Sequence, residues 1–463
     1  MNRSKKLFKN TIIYFIGNIG SKFLIFIMLP IYSIYLKPDE FGLIDLLLSI
    51  IPLLSPIVSC QIFEAVFRFL CTSRLLNIKK QFITTSFIFL IVSIFFVNLF
   101  LNLFVNFKFD VLFCLFFTMS QFFLYFSQVA RGLKYNAIYA FSGVISAFIQ
   151  AVICVAIIKN FAGSAIFISG IIGFLISSLF IIFKINFFSY VRLKSFNSKI
   201  LLLLLSFGVP LIPNQISWWF NSAIGKYIAT YFSGLNIAGM LAISTRLPNL
   251  IAVLNGVFLL AWTESIIEEF KKQDSAIYFS KGLGFFIKMQ FIIIALILPI
   301  TKLYYIVFID SYYLNSSKIV PLLYCAGAFT GISAFLGTIY TASLQTKKAF
   351  YTTIFPAVLN TILSLILIPF CDILGLAISM FISSFSFFTI RYFSCKKILN
   401  YKINIKFFIN DIIILLFSLI IFYLNNVSYI LLCCLILYLL ILVLNFRYLL
   451  TLRDLIFKRT LSF

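Results

Sequence analysis

An ionisable side chain inside a long apolar run costs about 2.5 to 3.5 kcal/mol on insertion scales, so such residues are the first candidates for chemistry. Lys22 is one, in the run 11–36, with Asn18 one helical turn earlier and Gly17 and Gly20 leaving little bulk on that face. Arg246 is another, followed at one-turn spacing by Asn249, with Pro248 interrupting the backbone ladder nearby. A third group is a polar stripe of Asn214, Ser217 or Trp218, and Asn221, with Gln215 and Ser222 alongside and Lys226 beyond. Ammonium and guanidinium groups suit an anionic ligand, whereas amides and an indole suit sugar hydroxyls and C–H faces. Each has a plainer reading. Lys22 can snorkel or pair with a carboxylate, Arg246 can bridge to Asp45 or a loop acid, and the amides can bind neighbouring helices.

Carboxylates are scarcer. Gln61, Glu64 and Arg68 stand at i, i+3 and i+7, so Glu64 and Arg68 form an i,i+4 pair near the cytoplasmic end of their run. A self-neutralised pair is one reading, and an exchangeable carboxylate for a coupling H+ or Na+ is the other. Asp45, at the outer end of the same run, is a second ion-coupling candidate, and a solvated acid is its plain alternative. The chain has no histidine, which removes the commonest general base and metal ligand. No GxxxxGK[ST] phosphate loop is present, and the nine cysteines lie mostly in apolar runs without CxxC spacing. No catalytic residue, metal site or cofactor is expected, and the cysteines read as small buried hydrophobes.

The elements that must hold these residues follow from composition. Of 463 residues 62% are hydrophobic and 11% charged, with a mean hydropathy of +1.11. A soluble domain is about 25% charged, so this is an integral membrane protein. The runs are continuous rather than alternating and long enough for helices crossing about 30 Å of hydrocarbon. Fourteen spans are expected: 11–36, 43–69, 82–103, 109–130, 137–158, 162–183, 200–221, 237–262, 285–309, 319–343, 350–370, 373–394, 408–423 and 428–446. The first run is too long for a signal-peptide core and lacks an A-x-A site.

Every second connection is basic. Lys5, Lys6 and Lys9, then Lys79 and Lys80, Arg131 and Lys134, Arg192 and Lys194, Lys271 and Lys272, Lys347 and Lys348, Lys396 and Lys397, and Arg453 and Lys458 share one side. Cationic loops accumulate in the cytoplasm, which places both termini there. The net charge of +24 is thereby explained by topology without a nucleic-acid partner.

YLKPDEFGLIDLLLSIIP after the first span parallels YFSGLNIAGMLAISTRLP after the seventh, each with a Gly (Gly42, Gly239) opening the next helix and a Pro (Pro52, Pro248) beyond. A doubled architecture follows: an N-terminal six-helix bundle (1–184), a basic cytoplasmic linker (185–199), a second six-helix bundle (200–395), and two added helices with a basic tail (396–463). The expected fold is thus all-α, two bundles around a central cavity plus two C-terminal helices.

Further pieces carry a family resemblance: NTIIYFIGNIGSKFLIFIMLPIYSIYLKPDEFGLIDLL, RGLKYNAIYAFSG, FGVPLIPNQISWWFNSAIGKYIATYFSGLNIAGMLAISTRLPNL and PAVLNTILSLILIPFCDILGLAIS. The chain resembles polysaccharide flippases of the multidrug/oligosaccharidyl-lipid/polysaccharide exporter superfamily. Relatives often carry an Asp-Arg pair where this sequence has Gly225-Lys226, so the cation is kept and the acid is not.

The resemblance implies a bacterial inner-membrane flippase that moves a polyprenyl-diphosphate-linked oligosaccharide outward by alternating access, for O-antigen or lipopolysaccharide-type assembly. Membrane lipids and polymerase machinery would be its partners. A diphosphate suits a cavity lined by Lys22, Lys226 and Arg246, and exporting two negative charges releases about 4 to 5 kcal/mol per 100 mV. A multidrug exporter of the same superfamily would favour carboxylates against cationic drugs. A membrane-embedded polymerase would need clustered outward catalytic groups, and the outward loops are short.

Overall fold

The computed structural model describes residue 24 and residues 27–73, 75–104, 110–270, 272–343, 345–402, 409–424 and 429–441. Among these residues the chain is helical without strands, and ten helices are long and apolar enough to cross a membrane. Residues 27–35 are helical, and the labelled elements begin after them. They are α1 (Pro38–Val58), α2 (Ile62–Thr72), α3 (Leu76–Phe104), α4 (Asp110–Gly132), α5 (Asn136–Phe161), α6 (Ser164–Ile185), α7 (Ser198–Gly208) and α8 (Ile212–Ser233). Then come α9 (Leu235–Arg246), α10 (Asn249–Glu269), α11 (Ser275–Phe308), α12 (Val320–Ala342), α13 (Thr346–Lys396), α14 (Ile409–Tyr423) and α15 (Tyr429–Ile441).

Over the described residues each expected span from the second onward is met by helix; the second and eighth are broken, the seventh passes through a 3-10 turn at Val209–Leu211, and the eleventh and twelfth are continuous. The second breaks at Cys60 and Gln61, whose φ values of 45° and 54° are left-handed. Pro52 and Pro56 lie inside α1 just before the break and remove amide donors from its ladder. Gly208 lets α7 reach the break, because a Cβ there would collide with the carbonyl of Cys60. The eighth span breaks between Arg246 and Asn249, as Pro248 predicts. The eleventh and twelfth run on as α13, turned back at Asp372 with φ 45°.

Two compact units result, Met1–Ala242 and Ile243–Phe463. Helices α7 and α8 fall in the first unit, where α7 packs on α2 and α3 and α8 on α1. The core of that unit gathers Ile62, Val66, Ile83, Phe117, Phe126, Phe187 and Leu204 around a fully buried Tyr125. Its hydroxyl donates to the Ile83 carbonyl at 2.8 Å and meets Ser86 Oγ at 2.8 Å, so the phenol's polar end is satisfied in an apolar interior. The basic linker is tied to the start of α3, where Thr84 Oγ1 accepts from Arg192 N (3.1 Å) and Thr85 Oγ1 from Asn197 N (3.2 Å).

In the second unit Trp262 stacks with Tyr278 (ring centroids 5.2 Å apart) and with Phe335 (4.7 Å). Helices α14 and α15 pack on α11 through Ala295, Ile414, Ile421 and Leu437. Ser418 Oγ donates to the Ala295 carbonyl at 3.0 Å, and Tyr438 OH to that of Leu296 at 3.2 Å. Interhelical hydrogen bonds matter here because lipid gives helices little hydrophobic reason to associate.

Candidate functional site

The site grows from the start of α1. Pro38 occupies the first turn, where no amide donor is needed, and Asp39 and Glu40 face the positive end of the helix dipole. Glu40 Oε1 also accepts from Gly163 N at 3.2 Å, tying α1 to the start of α6. Gly42 and Gly239, the two glycines that occupy matching places in the repeated segments, meet each other. A Cβ on Gly42 would strike the Leu235 carbonyl and lie 2.6 Å from Gly239 N, and one on Gly239 would strike the Pro38 carbonyl. Backbone touches backbone, so α1 and α9 join at their first turns.

Deeper in, α8 lays one face on α1. Lys226 Nζ lies 2.6 Å from Asp45 Oδ2. Trp219 Nε1 donates to the Ser49 carbonyl at 2.6 Å. Tyr227 OH donates to the Leu46 carbonyl at 2.9 Å and meets Ser49 Oγ at 2.7 Å. Trp219, Ala223, Lys226, Tyr227 and Thr230 recur at helical spacing, with the ion pair among them.

The solvated reading of Asp45 is therefore corrected. It is buried, 7% exposed, because α8 covers it and supplies the cation that makes burial tolerable. Trp218 is 44% exposed, and its neighbour Trp219 takes the packed position. Gln215 is exposed beside Trp218, so part of the expected stripe does form an open face of α8. Only the backbones of Asn214 and Asn221 are described, and Lys22 and Asn18 lie outside the described residues.

Arg246 is the half-buried last residue of α9, and Asn249 opens α10 exposed. The joint between them is closed by Leu250 N to the Leu247 carbonyl (3.1 Å) and Ile251 N to that of Pro248 (3.0 Å). On α2, Gln61 is not part of the helical stripe but its left-handed N-cap. Glu64 accepts from Gln128 Nε2 at 3.4 Å, and the exposed Arg68 lies 4.9 Å from the ring of Phe207.

The second unit holds polar groups that the sequence reading passed over. Lys288 Nζ lies 3.7 Å from Asp411 Oδ2, both buried, joining α11 to α14. Gln290 Nε2 donates to Asn255 Oδ1 between α11 and α10. Arg391 is buried in α13 among neutral acceptors. Lys288 and Arg391 fall inside expected spans, so the rule that singled out Lys22 reaches them as well.

A family described as polysaccharide biosynthesis protein matches residues 7–267. No curated protein matches the chain in sequence. Among solved structures, the lipid II flippase MurJ in an inward closed conformation is similar at 20% identity, with 97% of this chain and 100% of that one covered and a TM-score of 0.67. An inward-facing multidrug resistance MATE family transporter of the MOP superfamily is similar at 14% identity, covering 83% and 94%, with a TM-score of 0.67. A MOP superfamily transporter from Pyrococcus furiosus is similar at 14% identity, covering 85% and 96%, with a TM-score of 0.58. At these identities the likeness is one of fold.

Proposed function

Since the chain belongs to the polysaccharide biosynthesis protein family, we propose that it is a flippase carrying a polyprenyl-diphosphate-linked oligosaccharide from the cytoplasmic to the outer leaflet of a bacterial inner membrane. The observation that carries this reading is the pairing of that family with the fold of membrane transporters. A family of surface-sugar assembly built on a transporter fold calls for a cargo that is both saccharide and membrane-bound.

Chemistry of this chain's own residues supports the cargo. A diphosphate cannot cross hydrocarbon unaided, and cations placed within the spans offer it charge-assisted hydrogen bonds in place of water. Lys22, Lys226 and Arg246 are the candidates, with Asn18, Asn249, Asn214, Asn221 and the exposed Trp218 available to sugar. Lys226 has a partner already. A diphosphate that takes Lys226 displaces the Asp45 carboxylate, so binding and release of the contact between α1 and α8 become one event. Asp45 and Glu64 are then the acids on which a coupling cation would act. On this reading both termini lie in the cytoplasm, which the cationic connections support.

Silencing the gene in its host tests the assignment. Lipid-linked oligosaccharide should accumulate in a pool closed to an impermeant glycosidase, and surface polysaccharide should fall. Unchanged surface polysaccharide together with new sensitivity to cationic drugs would overturn the assignment in favour of drug export.

A further inference from the structure

Arg391 is a buried cation to which the proposed transport path gives no role. It is 8% exposed and lies one turn from the end of α13. Nη1 donates to the Ser333 carbonyl (2.8 Å), Nη2 to Thr353 Oγ1 (3.0 Å) and Nε to Thr352 Oγ1 (3.3 Å). Phe387 lies under the guanidinium at 4.3 Å, with Tyr340 at 5.8 Å. Gly337 leaves space against Nη1 that a Cβ would fill. Among the described residues no carboxylate pairs with Arg391, whereas buried Asp45 and Asp411 each have a lysine.

A guanidinium carries five N–H donors, and the neutral acceptors take one from each nitrogen. One N–H on each Nη atom remains, and phosphate oxygens are the acceptors a guanidinium takes best. Charge deepens toward the same end of the helix pair. Lys348 is exposed one turn before Thr352, whose hydroxyl donates to the Lys348 carbonyl at 2.9 Å. Lys396 lies over Tyr392 at 5.7 Å, and Lys397 follows it, both exposed. Residues from α12 and both arms of α13 thus surround a cation with no counter-charge among the described residues, toward the end of the helices that carries the exposed Lys348, Lys396 and Lys397.

We propose that Arg391, with Lys348 and Lys396, forms a binding site for a lipid-borne phosphate at this end of α12 and α13. Burying an unpaired charge costs several kcal/mol, and a phosphate from the surrounding leaflet offsets that cost where no acid among the described residues does. Basic pockets between helix ends are places where such headgroups settle. The site depends only on the chain's spanning a membrane, and it stands whatever the transported cargo.

The test uses the purified full-length protein in neutral detergent, titrated separately with phosphatidylglycerol, undecaprenyl diphosphate and inorganic phosphate while thermal unfolding is followed. Wild type should gain stability with a lipid phosphate, and R391Q should need about tenfold more of the same lipid, the loss of one bidentate contact. R391K should fall between them. A response to phosphatidylglycerol assigns the site to bulk lipid, and one confined to undecaprenyl diphosphate assigns it to the cargo's own headgroup. If R391Q fails to fold, the exposed pair K348Q/K396Q serves instead and should weaken binding severalfold. Equal lipid dependence in wild type and variants, a response to inorganic phosphate alone, or none in wild type would overturn the site and leave Arg391 as a hydrogen-bonding staple between α12 and α13.

Discussion

Asp45→Ala is expected to lower stability by about 3 to 5 kcal/mol, because it strands the Lys226 ammonium in a place built for an ion pair. The Lys226 and Asp45 side chains are only 17% and 9% exposed, so water screens the pair little. Lys226→Ala should cost a similar amount, leaving the carboxylate stranded instead. Asp45→Leu combined with Lys226→Met should recover most of the loss, since replacing both charges by apolar groups of similar size removes the unpaired group altogether. Unfolding of the purified variants by heat or denaturant measures all of these. Single variants within about 0.5 kcal/mol of wild type would show that the pair behaves like a solvated surface bridge. The double variant also separates folding from function. If Lys226 receives the diphosphate, the repaired protein should be stable and inactive.

The second large effect is steric. Gly239→Val should destabilise by about 3 kcal/mol or more, at the upper end of overpacking penalties. Its new Cβ meets the Pro38 carbonyl and lies 2.8 Å from the Pro38 Cα, so no side chain can swing away to make room. Gly42→Val should behave alike, against the Leu235 carbonyl and Gly239 N. Because both substitutions separate the same two helix starts, their costs should not add, and the double variant should lose little more than either alone. Unfolding measurements on the three proteins decide this. Full additivity, or a single-variant loss under about 0.5 kcal/mol, would contradict the close approach.

Much of this architecture is legible in the chain because span length and basic loops are long-range, redundant signals. The run 82–103, for instance, is matched by α3 at Leu76–Phe104, and 162–183 by α6 at Ser164–Ile185. Pro248 announces the joint after Arg246, since proline withholds an amide. The break at Cys60 is not legible that way: neither residue is glycine, and the left-handed turn is held by packing against Gly208.

Facing is the harder question. Adjacent tryptophans on a helix differ by about 100° of rotation, and a polar stripe inside a membrane can face either a cavity or a neighbouring helix, so nothing local says which of the two is packed. Trp218 therefore reads as well as Trp219, which α1 settles by offering the Ser49 carbonyl. Asp45 has the same history. Its partner stands 181 positions along the chain, a separation that hydropathy does not encode. The kinship of Gly42 and Gly239 was visible as repetition, but their mutual contact was not.

On the proposed function, this chain moves a diphosphate-linked saccharide across a bilayer. Purified protein in sealed vesicles, loaded with fluorescent undecaprenyl-diphosphate oligosaccharide and given an interior-negative potential, measures it directly through access of an external glycosidase to lipid that began inside. The expected result is transfer that requires the protein, is faster by an order of magnitude or so than in empty vesicles, and fails for the stable Asp45→Leu/Lys226→Met variant. Transfer no faster than in protein-free vesicles, in a preparation shown to be folded, would contradict it.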